Sequence, residues 1–99
     1  LKKPNQANQP QIPQNSLDTI LIDYTKHHYD KGLTKREAEI TAFILQGHSS
    51  LSISLILNIS TETVKVHRKN IYRKLRISSQ AELFMKLSMA LKVASKIFP

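Results

Sequence analysis

Ninety-nine residues, 40% of them hydrophobic, suffice for one domain with a modest core, and the absence of cysteine excludes disulfide frameworks, thiolate metal sites and cysteine nucleophiles. Fifteen Lys and Arg against seven Asp and Glu leave a net charge of +8, a field that concentrates polyanions and points to nucleic acid or an anionic surface. The Pro, Asn and Gln that follow the leading lysines do not form a secretory signal and no run reaches membrane-spanning length, so a cytoplasmic chain without a membrane partner is expected.

Residues 1–16, "LKKPNQANQPQIPQNS", are rich in Gln, Asn and Pro and have almost nothing to bury, which predicts a disordered linker. A chain opening on Leu and a linker reads as part of a longer one, with a sensor or receiver domain expected ahead of Leu1. Residues 17–32 are expected to hold a linker helix: Leu17, Ile20, Leu21, Tyr24 and His28 share one stripe, Ser16 stands at the cap position and Gly32 would end it. "DTILI" also fits a short strand. His27 and His28 are adjacent, diverge on a helix and have no third ligand at zinc-like spacing, so no metal is expected.

Residues 33–99 are expected to form the functional domain. Thr34 and Glu37 have capping-box spacing, Ile40, Phe43 and Ile44 follow as a buried stripe, and Gly47 suits a left-handed exit, which predicts a helix over 35–46. In "HSSLSISLILNIS", Ser49 or Ser50 caps a short helix with Ile53, Ile56 and Leu57 inward and Asn58 at its exit. Its serines lack a glycine elbow or charge-relay partner, and no paired carboxylates or phosphate-cradling glycines occur elsewhere, so no enzyme is expected.

Ser60 caps the next segment, "TETVKVHRKNIYRKL". Helical spacing turns Val64, Ile71 and Leu75 inward, with His67 beside them, and points Lys65, Lys69, Tyr72, Arg73 and Arg76 outward alongside Glu62 and Val66. Six of the fifteen Lys and Arg lie in 61–76 against one acid, whereas a merely solvated face mixes both signs. Two short helices with a tight link, the second basic on its outer face, are the layout of a helix-turn-helix whose second helix enters the major groove.

The last segment opens on a second capping box, Ser79 with Glu82, and runs as one long helix. Leu83, Leu87, Ala90, Leu91 and Ala94 make its stripe, which Phe84, Met85, Met89, Val93, Ile97 and Phe98 widen beyond what a small bundle covers. Three covers are weighed, in this order: a second copy of the chain, the helix over 17–29 folding back, and a membrane surface.

"LTKREAEI", "QGHS", "NISTETVKVHRKNIYRKL" and "SSQAEL" follow one another as in the LuxR-type DNA-binding domain of bacterial response regulators and quorum sensors, a resemblance covering roughly residues 33–85. It implies an all-α fold, a four-helix helix-turn-helix bundle, to which the residues ahead add the linker and extra N-terminal helix read above, and binding of promoter DNA by a transcription regulator. Carried over by position, it places Lys65, Val66 and Lys69 at base edges, and Thr63, His67 and Lys74 at the phosphates or the groove wall; Arg73, Arg76 and Ser50 are added as candidate contacts to the DNA backbone. A last helix pairing through Leu83, Phe84, Leu87 and Leu91 would make a homodimer on double-stranded DNA, with RNA polymerase as a further partner and no cofactor. Two departures stand out: Ser50, Leu51 and Ser52 replace the usual Asn, Lys and Glu, and Arg76 stands where Gly usually ends the recognition helix. The competing reading is a protein-interaction four-helix module, sigma-factor-like or adaptor, whose basic helix meets an acidic protein.

Overall fold

The computed structural model describes residues 14–97, and their side chains from 17 to 92; the first thirteen residues of the linker expected over 1–16, and the side chains of Val93, Ala94, Ile97 and Phe98, lie outside that range, while 14–16 are helical. Five helices follow in order: α1 (Gln14–His28), α2 (Lys35–Leu45), α3 (Ser50–Leu57), α4 (Thr61–Leu75) and α5 (Gln80–Ile97). No strand occurs among the described residues, so "DTILI" is helical.

The first helix includes Gln14, Asn15 and Ser16, which places Ser16 inside it and not ahead of it as its cap. Leu17 and Leu21 are buried, Ile20 and Tyr24 pack at the margin, and His28 stays exposed, stacked on Tyr24 at 4.1 Å between ring centroids. The helix ends at His28, four positions before the expected stop at Gly32. Thr25 manages the exit: its buried hydroxyl donates to the Leu21 carbonyl at 2.8 Å and accepts from the Leu33 amide at 3.0 Å, locking the loop onto α1. Gly32 serves close approach, since a Cβ there would lie 2.5 Å from Lys26 Cγ.

Caps fix the other helix ends. Thr34 and Glu37 form the full capping box on α2, and Gly47 leaves it with φ of 95°. Ser49 caps α3 and Ser60 caps α4, each hydroxyl accepting an amide three residues on, while Asn58 makes the left-handed exit between them. At α5, Ser79 accepts the Glu82 amide as expected, but the Glu82 carboxylate reaches one residue further back, to the Ser78 amide at 2.6 Å and the Ser78 hydroxyl at 3.0 Å. Those bonds hold its carboxyl below the ordinary carboxylate value.

The core joins Leu17, Leu21, Ile40, Ile44, Ile53, Val64, Ile71, Leu75, Leu83 and Leu87. Two expectations change here. Ile56, placed inward by spacing, is 49% exposed, because eight-residue α3 buries only the stripe around Ile53. Leu83 and Leu87 are completely buried within this one chain, with Phe84 and Leu91 half-buried beside them. The physical reason is α1, which folds back against α2 and α5, so the cover ranked second supplies the burial, and among the described side chains of α5 the large apolar groups left open are Met85 and Met89.

Candidate nucleic-acid interface

The basic helix takes its place from both sides. Val64, Ile71 and Leu75 anchor α4 in the core, and Ser60 fixes its first turn by accepting the Thr63 amide at 3.0 Å, with the two hydroxyls 2.9 Å apart. Spacing of four, three and four then lines Glu62, Val66, Lys69 and Arg73 along the outermost ridge, with Lys65 beside it, and all five are exposed. The three residues expected at base edges, Lys65, Val66 and Lys69, therefore share one uncovered face in the first two-thirds of the helix. Arg73 is oriented by a 3.0 Å bond to Asn70 Oδ1. Lys65 has one weak partner, Glu62, at 3.9 Å.

The residues expected at the DNA backbone divide. Thr63 is exposed at the start of the helix, and His67 is half-buried between the two faces. Lys74 is drawn inward: its ammonium lies 2.7 Å from Glu37 Oε1 and donates to the Gly32 carbonyl at 3.4 Å. Burial works against the Glu37 charge, but hydrogen bonds from Lys74 and the Thr34 amide outweigh it, and its carboxyl is held below the ordinary value. A lysine held this way ties α4 to α2, an engagement within the fold that the expected phosphate contact did not foresee. Arg76 adopts a left-handed conformation at φ of 57°, which glycine enters more readily, and its guanidinium pairs with Asp30 at 2.5 Å, both side chains exposed.

Arg68 is the residue that sequence reasoning missed. One guanidinium nitrogen donates to Ser50 Oγ on α3 at 3.3 Å, and the other donates to Tyr72 Oη at 3.2 Å and Gln80 Oε1 on α5 at 3.0 Å. It thereby joins three helices and holds Ser50, itself expected at a phosphate, at the edge of α4. The signal was present: Arg68 is four residues after Val64 and three before Ile71, so helical spacing puts a cation on the inward flank, where it needs partners.

Comparison with known proteins shows the family of the domain. The family described as bacterial regulatory proteins, luxR family, matches residues 31–87. The response regulator protein TodT of Pseudomonas putida is 39% identical over 71 residues, covering 72% of this chain and 31% of TodT. TmoT of Ectopseudomonas mendocina, also a response regulator protein, is 41% identical over 71 residues, covering 72% and 32%. The nitrate/nitrite response regulator protein NarP of Escherichia coli is 46% identical over 48 residues, covering 48% and 22%. The chain thus spans about a third of the length of the first two, and no solved structure gives a significant match.

Proposed function

Because the chain belongs to the luxR family of bacterial regulatory proteins, we propose that it binds operator DNA specifically, with the outer ridge of α4 in the major groove. The observation that carries this reading is the uncovered row of Lys65, Val66, Lys69 and Arg73 on a helix whose other side is sealed in the core. The major groove, about 12 Å wide, admits one such helix, lysine ammonium groups donate to guanine O6 and N7, and the Val66 methyls meet a thymine methyl. Thr63, His67, Arg73 and Ser50 face the phosphates, and Arg76 joins them only by giving up Asp30. The reading places the protein in the cytoplasm, with residues ahead of α1 serving as a linker from a signal-receiving domain.

Two copies bind one operator, their α4 helices about one DNA turn apart. With Leu83 and Leu87 enclosed, the pairing falls to the exposed side of α5 at Met85 and Met89. RNA polymerase is retained as a further partner, since the resemblance implies action at promoters. Salt titration of the complex with duplex DNA tests the reading. If each chain neutralises about four phosphates, log affinity falls against log salt with a slope near −3.6 per chain, and two chains are counted per site. No binding to duplex at low salt, with a complex formed with an acidic protein in its place, would overturn it.

A further inference from the structure

We propose that Glu62 is a base-reading residue that selects cytosine, accepting a hydrogen bond from its N4 amino group in the major groove. This rests on the DNA-binding reading above and refines it. Glu62 is the first member of the exposed ridge that continues through Val66 and Lys69, and its side chain is 83% exposed. It therefore enters the groove wherever Val66 and Lys69 do.

Local structure does not use this carboxylate as it uses the other helix-start glutamates. Glu37 and Glu82 bend back to accept backbone amides, of Thr34 and Ser78. Glu62 stands one position too early for that bond, because Ser60 is the cap and the capping-box position is taken by Thr63. What it has is a favourable position against the helix dipole and Lys65 at 3.9 Å, a pair too long and too exposed to hold it.

Electrostatics then makes Glu62 a filter. An acid in a groove walled by phosphates weakens binding to every duplex unless a base offers it a donor. A carboxylate only accepts, so the guanine O6 and N7 and thymine O4 acceptors repel it. Adenine offers N6 beside the acceptor N7, whereas cytosine offers N4 with no acceptor alongside on its own major-groove edge. Cytosine is therefore the base that compensates the charge best, and Lys65, one turn along, is placed to donate to the guanine of the same or the next pair.

Selection from a random duplex pool with the unaltered chain, Glu62→Ala and Glu62→Gln tests this, with thermal melting of each variant as a check on folding. The unaltered chain is expected to enrich one cytosine per half-site. Glu62→Ala should lose that preference by roughly tenfold while binding mismatched duplexes at least as tightly. Glu62→Gln, which keeps the shape and adds a donor, should shift the position toward adenine. The same enriched motif from all three chains would overturn the role of Glu62 and leave DNA binding standing. No motif from the unaltered chain would overturn both.

Discussion

Lys69 and Lys74 lie five residues apart on one helix and are matched in chemistry, yet their surroundings assign them opposite work. Lys69 is exposed on the outer ridge, so Lys69→Ala is expected to cost about 1–3 kcal/mol of discrimination at one base position with little change in melting temperature. Lys74→Ala leaves the buried Glu37 carboxylate without its cation and should cost roughly 1–3 kcal/mol of stability, below the roughly 3–5 of a fully buried pair because Lys74 stays 23% exposed. Binding titration and thermal melting of both variants separate the two effects. Glu37 also sets an acid limit. Its pKa is lowered by folding, so its contribution is present above the ordinary value of 4.5 and is lost as pH falls below that toward the folded pKa. Stability measured against pH should decline over that window, and Glu37→Gln should flatten the decline. Sequence spacing gave Lys69 its direction because a single helix decides it; the fate of Lys74 depended on Glu37, thirty-seven residues away, which no local pattern reveals.

Element boundaries were the most legible feature, since caps are local chemistry: Thr34 with Glu37, Gly47, Ser60 and Asn58 each sit where their side chains or backbone freedom predict. The end of α4 shows what happens when the local preference is broken. Arg76 holds a left-handed conformation that costs an L-residue roughly 1–2 kcal/mol, offset in part by the exposed pair with Asp30. Arg76→Gly is therefore expected to raise stability by about 0.5–1 kcal/mol, the gain being reduced by the greater freedom of glycine in the unfolded chain. Chemical denaturation would show the midpoint moving upward; a downward shift would mean that the ion pair outweighs the backbone term. The start and end of α1 were less legible, because Thr25 and Leu33 settle the exit through a contact eight residues apart.

At the scale of the whole molecule, the helix ahead of the family domain completes the fold. By covering Leu83 and Leu87, α1 turns that stripe of α5 from a pairing surface into core, while among the described residues Met85 and Met89 stay outside. Periodicity identified α5 as unusually apolar; it could not say which of the three covers would arrive, since each would bury apolar side chains of that helix. The basic face was legible because its signal is local: one acid lies in 61–76 against six cations. The central claim, that this face meets duplex DNA, is tested most directly by following backbone amide resonances while an operator selected from a random pool is added. The account predicts that the largest shifts fall at Glu62, Lys65, Val66, Lys69 and Arg73, with Lys74 and the buried side of α5 little changed. Shifts centred on α1 or α5, with the outer ridge of α4 unmoved, would contradict it.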